Sequence, residues 1–146
     1  MCKSDPAGER SRPVTRRTLA HAFGVRDAAL LRRWDRIGIG VRCAYNPMGP
    51  SALRHYLDAG RRVVSCGVLS ELLVHRRMLT VLLQTAHDEA LPWYWRSVCL
   101  EYTTLPLARL HALMKHHDPM ACHALDCAVQ STHDVLAAAH ARPGRR

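Results

Sequence analysis

The chain has 146 residues, enough for one domain around a single core. Hydrophobic residues make up 48% of it, which excludes a disordered chain. Its net charge of +9 is carried by arginine, with only Lys3 and Lys115 as lysines, and predicts non-specific affinity for nucleic acids or acidic proteins.

Residues 1–14 lack periodicity and read as a flexible basic arm ahead of a helical domain at 15–141. No apolar run reaches the ~18–20 residues needed to span a bilayer, and residues 1–18 hold none of signal-peptide length. The expectation is a chain made in the cytosol with reduced thiols and no membrane insertion. Cys2, Cys43, Cys66 and Cys99 lie among apolar neighbours and read as buried structural thiols.

A helical pattern begins near Thr15 or Thr18 and carries Leu19, Ala20, Phe23 and Val25. A second helix fits Asp27 to Ile37, with Leu30, Leu31 and Trp34 on one face and Gly38 and Gly40 ending it. Pro47, Gly49 and Pro50 make the clearest loop in the chain. Ser51 then caps a short helix that stops at Gly60. Ser65 to Ala86 reads as one long central helix, with His75, Arg76 and Arg77 facing solvent. Pro92 breaks the pattern, Trp93 starts another helix toward Tyr102, and Pro106 starts the next. In the last helix Asp118 suits the N-cap and Pro119 the first helical position, with Pro143-Gly144 as the stop. Strand-like alternation is scarce. The predicted class is all-α, a single compact domain of five to seven short helices.

Three groups of residues carry candidate chemistry. Residues 111–140 hold six of the ten histidines together with Cys122 and Cys127, and imidazole and thiolate are ready zinc ligands. On a helix, His123 and Cys127 share a face at i and i+4, whereas Cys122 and Cys127 lie roughly 140° apart. A tetrahedral site could draw on Cys122, Cys127 and His133, with His116 or His117 as the fourth ligand. The alternative is an amphipathic helix with solvent-facing histidines. The second candidate is a helix-turn-helix over residues 18–37, turning at Gly24, with Arg26, Arg32, Arg33 and Arg36 as phosphate contacts. It would make the chain a small DNA-binding regulator. The third is Trp93-Tyr94-Trp95-Arg96, whose Trp93, Trp95 and Arg96 suit a partner surface or base stacking. There is no nucleophile elbow, Gly-rich phosphate loop or recognisable pair of carboxylates, so neither catalysis nor a small-molecule substrate is expected.

In order, Leu19-Ala20-His21, Cys43-Ala44 before a Pro-rich loop, Trp93-Tyr94-Trp95-Arg96-Ser97 with Tyr102 and Thr104, and Met120-Ala121-Cys122, Cys127 and His133 form a run of landmarks. This order resembles the alphaherpesvirus virion (tegument) protein encoded tenth in the unique short region, over roughly residues 19–133. The resemblance implies a small non-enzymatic virion component of the tegument and host nucleus, binding viral tegument or host nuclear proteins. It also implies a zinc-finger-like Cys-x3-Cys-x3-His-x3-Cys motif, whose roles would fall on Cys122, Cys127 and His133. The gaps here are four and five residues, and only His140 follows in place of the last cysteine.

Overall fold

The computed structural model describes residues 16–141, with side chains from residue 24 onward. The basic arm at 1–14 and Cys2 lie outside the described residues. Those described form six helices and no strand: α1 (Arg16–Arg42), α2 (Ser51–Ser65), α3 (Glu71–His87), α4 (Trp93–Tyr102), α5 (Thr104–Met114) and α6 (Pro119–His140). The all-α expectation is met, and no helix is long and apolar enough to cross a membrane among the described residues.

The divisions between the first helices differ from expectation. Residues 16–42 form one helix, without a break at Gly24, Gly38 or Gly40. An isolated glycine costs a helix only about 1 kcal/mol, which tertiary contacts override. Gly38 lies where a Cβ would meet the Tyr56 ring at 3.1 Å, so its missing side chain admits α2. The helix-turn-helix expected at 18–37 is therefore absent, because no turn reorients its second half.

Gly60 likewise sits inside α2 rather than ending it. A Cβ there would stand 2.2 Å from Met78 Cε and 3.1 Å from the Trp34 ring. The glycine is a contact point between helices, and α2 continues past it to Ser65. The predicted long helix over 65–86 is cut instead at Gly67, whose φ of 70° turns the chain out of α2. Ser70 then opens α3, its hydroxyl accepting a hydrogen bond from Leu73 N at 3.3 Å. Leu72 and Leu73, which fall on this first turn, are exposed rather than central.

α1 and α2 end in the same way. Tyr45 N donates to Gly40 O and Ala44 N to Val41 O; Val68 N donates to Val63 O and Gly67 N to Val64 O. Both are the paired six-to-one and five-to-two bonds of a Schellman motif, which needs a left-handed residue at its bend. In α2 that residue is Gly67, and in α1 it is Ala44, with φ 49°. A Cβ in this region is strained by roughly 1–2 kcal/mol.

α3 touches every other helix and is the axis of the bundle. The main core gathers Trp34, Val41, Leu53, Tyr56, Val63, Val74, Met78, Leu82, Trp95 and Cys99. Trp34 and Tyr56 stack with ring centroids 5.7 Å apart. A second cluster of Leu79, Leu110, Met114 and Cys122 holds α5 and α6 to α3. Outside the core, Arg109 of α5 forms a forked ion pair with Glu71 of α3, and that hydrogen bond holds the Glu71 carboxyl below the usual carboxylate range. In α6, Asp118 Oδ1 accepts from Ala121 N at 2.9 Å and Pro119 takes the first turn, as expected.

Ala44→Gly should raise stability by about 0.5–1 kcal/mol, because glycine adopts the left-handed bend without strain. Gly67→Ala should lower it by a similar amount. Urea midpoints of the two variants, read by circular dichroism, check both signs.

Candidate functional site

The aromatic-arginine block is divided between surface and core. Trp95 is buried, and its indole Nε1 donates to Val41 O, in the last turn of α1, at 2.9 Å. Arg96 is also buried, and its Nε donates to Ala86 O, in the last turn of α3, at 2.8 Å. The final carbonyls of a helix lack intrahelical partners and carry the negative end of its dipole. Adjacent residues of α4 thus terminate two different helices. Trp95 and Arg96, expected at a partner surface, are structural instead, since neither the indole edge nor the guanidinium reaches the outside. Trp93 does remain half-exposed, stacked on His140 with ring centroids 4.5 Å apart.

The expected zinc ligands do not converge. Cys122 is buried among Leu79, Leu110 and Met114. Cys127 is exposed, and its nearest donor is His123 Nε2 at 3.5 Å. His133 is exposed, and His140 lies against Trp93. α6 is continuous from Pro119 to His140, so at about 1.5 Å per residue Cys122 and His140 are roughly 27 Å apart. His116 and His117 are exposed in the turn before α6. No group of three His, Cys, Asp or Glu side chains gathers among the described residues. Among the described residues the expected ligands that meet are the exposed His123–Cys127 pair, and the others are spread along α6 and the turn before it.

Several histidines instead fasten helices together. His111 Nε2 meets Asp126 Oδ1 at 2.8 Å, linking α5 to α6. His87 Nε2 meets Thr132 Oγ1 at 2.8 Å, linking α3 to α6. His75, expected to face solvent, is buried with Nδ1 2.9 Å from Glu71 O. It lines a crevice that Leu57 of α2 and Pro106 of α5 also line. Arg76 and Arg77 are exposed as expected, and Arg77 lies over the Trp34 ring at 4.9 Å.

The thiols divide similarly. Cys99 is in the core, where burial pushes its pKa up to about 12. Cys43 and Cys66, expected to be buried, are exposed because each falls just beyond a helix end, at the two Schellman bends.

A concavity of about 650 Å³ lies elsewhere, between α1 and α2. α1 presents Leu30, Arg33, Ile37 and Gly40 to it; α2 presents Ala52, His55, Ala59 and Arg62. Both sets follow the spacing i, i+3, i+7, i+10, which is one face of a helix. Tyr45 and Asn46 close the loop end, and Arg36 and Asp58 stand at the rim. Arg33, Arg36 and Arg62 are exposed and form no ion pair among the described residues, whereas Asp58 is already paired with Arg61 at 3.0 Å. The result is an apolar floor under an unbalanced positive rim. Arg33, one of the expected contact residues, lines this groove. Arg32 lies about 100° round the helix from it and does not. The second stripe of α1 is readable in the sequence only once 16–42 is taken as one helix, because a turn at Gly24 and a stop at Gly38 hide its period.

Compared with protein families, curated proteins and solved structures, the chain matches none.

With thiol reagent under native conditions, Cys43, Cys66 and Cys127 should react, while Cys99 and Cys122 should react only on unfolding. A chelator should leave that pattern unchanged. Arg96→Ala should cost about 2–3 kcal/mol of stability through the lost charge-assisted bond and packing. Thermal denaturation measures that loss.

Proposed function

We propose that this chain is a non-enzymatic binding protein that engages acidic partners through the groove between α1 and α2. The observation that carries the reading is the coincidence of three exposed, unpaired guanidiniums with an apolar floor. A uniformly basic surface would attract any polyanion, and an apolar patch alone would attract any hydrophobe. Their combination selects for partners that carry both features. The half-exposed Trp93 and Tyr94 add a smaller apolar surface at the start of α4.

The resemblance to the alphaherpesvirus tegument protein supplies a setting for this reading. In that setting the partners are viral tegument or host nuclear proteins, and the protein is carried in the virion. A zinc ion would enter through the exposed His123–Cys127 pair with further ligands from a partner, because Cys122 is buried in the core and His133 and His140 lie further along α6. The DNA-binding alternative at 18–37 is not carried forward, since its defining turn is missing from α1.

The test is capture from infected cells by the full chain and by the triple variant Arg33→Glu, Arg36→Glu, Arg62→Glu. The reading expects recovery in purified virions and partner capture reduced at least about tenfold by the variant, an interaction loss of roughly 1.4 kcal/mol. Reversal of the exposed Arg76 should leave capture unchanged. Equal capture by parent and triple variant would remove the groove from the function.

A further inference from the structure

We infer that the occupant of the α1–α2 groove is an acidic amphipathic helix of about three turns from a partner protein. This rests on the reading of the groove as the binding surface and adds the chemistry of what fills it. From Leu30 to Gly40 the α1 stripe covers ten residues, or about 15 Å of helix axis, and the α2 stripe from Ala52 to Arg62 covers the same length. Two helix faces of equal length match a helix better than an extended strand, which would need an open sheet edge, and α1 and α2 present none.

The floor favours the same occupant. Gly40, Ala52 and Ala59 are small, so a third helix can approach both walls closely, while Leu30 and Ile37 supply apolar contact on one side. Anchors spaced i, i+3 or i+4, and i+7 on the incoming helix would lie along this floor. The charged groups set its polar edges. Arg33 and Arg36 stand on the α1 wall and Arg62 on the α2 wall, so carboxylates are required on both flanks of the apolar face. His55 stands beside them on α2, and the single acid at the rim, Asp58, is held by Arg61.

Nucleic acid fits less well. Phosphates would satisfy the guanidiniums, yet the floor offers bases only one aromatic ring, that of Tyr45, and would bury apolar surface against a polyanion. A second copy of this chain is also a weaker match: α1, α2 and α3 carry more arginine than carboxylate, and on α6 Asp126 already meets His111 and Asp134 accepts from Gln130.

The probe is a fluorescein-labelled helical peptide of about four turns with leucines at i, i+3, i+7 and i+10 and glutamates on both flanks, measured by anisotropy against the full chain. Two controls accompany it: the same peptide with serine for leucine, and one with lysine for glutamate. Only the leucine–glutamate peptide should bind. The Arg33→Glu, Arg36→Glu, Arg62→Glu variant should lose at least about tenfold in affinity for it and gain affinity for the lysine peptide. Ala59→Trp, which fills the floor and leaves every charge in place, should also abolish binding. If that variant fails to fold by circular dichroism, Tyr45→Ser, at an exposed loop position, removes apolar surface from the groove and likewise leaves every charge in place.

Equal binding of the serine peptide, or indifference to both floor substitutions, would overturn the inference in favour of plain charge attraction. Displacement by duplex DNA as effective as by the leucine peptide would overturn it in favour of nucleic acid. Self-association abolished by the floor variants would assign the groove to a second copy. If the peptide does not bind but cellular capture still depends on Arg33, Arg36 and Arg62, the helix inference fails and the groove reading stands. If neither depends on them, both fail.

Discussion

Two adjacent side chains, Trp95 and Arg96, hold the ends of the two helices on which the rest of the bundle is built. Each donates to a carbonyl in the last turn of a different helix, α1 at Val41 and α3 at Ala86. Without Arg96 the Ala86 carbonyl would be buried without a partner, at a cost of about 1–3 kcal/mol, while Val41 O, which also accepts from Ala44 N, takes its second bond from Trp95. The short α4 thus fixes the angle and register between α1 and α3. Arg96 brings a full positive charge to the negative end of α3, which offsets part of the penalty for burying it where no carboxylate is bonded to it. Because α3 touches all the other helices, a shift at this clamp would propagate to every interface.

The second constraint is close approach. Gly38 and Gly60 face the ring stack of Tyr56 and Trp34 from opposite helices, so α1 and α2 come together around two aromatic side chains instead of around their own Cβ atoms. The stack carries a polar cost. Trp34 Nε1 and Tyr56 Oη are buried without a hydrogen-bond partner among the described residues, and burial drives the Tyr56 pKa upward. Packing area from two large rings outweighs those two donors. The groove on the outer side of this helix pair follows from the same geometry, since helices drawn together over small residues leave a shallow trough between their outward stripes.

The sequence showed the helix class, the α6 cap at Asp118 and Pro119, and the burial of Cys99, because each depends on local chemistry or on strong apolar surroundings. It misplaced the glycines. Gly24, Gly38, Gly40 and Gly60 look like terminators when only local propensity is considered, and three of them are instead matched to a ring or loop side chain brought near by the fold. The true terminators, Ala44 and Gly67, are recognisable only from left-handed backbone angles and their paired bonds. Misplaced breaks then concealed the stripe that lines the groove. Clustering of histidine and cysteine between 111 and 140 suggested a metal site because ligand type is visible in a sequence and convergence is not. A single straight α6 spreads those residues over several turns.

Arginines of the described region fall into two populations, and the division explains how so basic a chain remains a stable bundle. Arg42, Arg61, Arg77 and Arg109 pair with carboxylates, Arg54 donates to the Tyr102 hydroxyl, and Arg96 caps α3. Arg26, Arg32, Arg33 and Arg36 on α1 and Arg62 on α2 do none of this among the described residues, and Arg76 reaches only Met114 Sδ; of these, Arg33, Arg36 and Arg62 line the groove. Arg33 and Arg36, at i and i+3, sit close enough to repel each other by a few tenths of a kcal/mol. In the free protein that repulsion weakens α1, and added salt relieves it. The same salt screens attraction to an acidic partner. If the groove binds an acidic partner as proposed, folding and binding respond to ionic strength with opposite sign, and these arginines trade stability of the free fold for association.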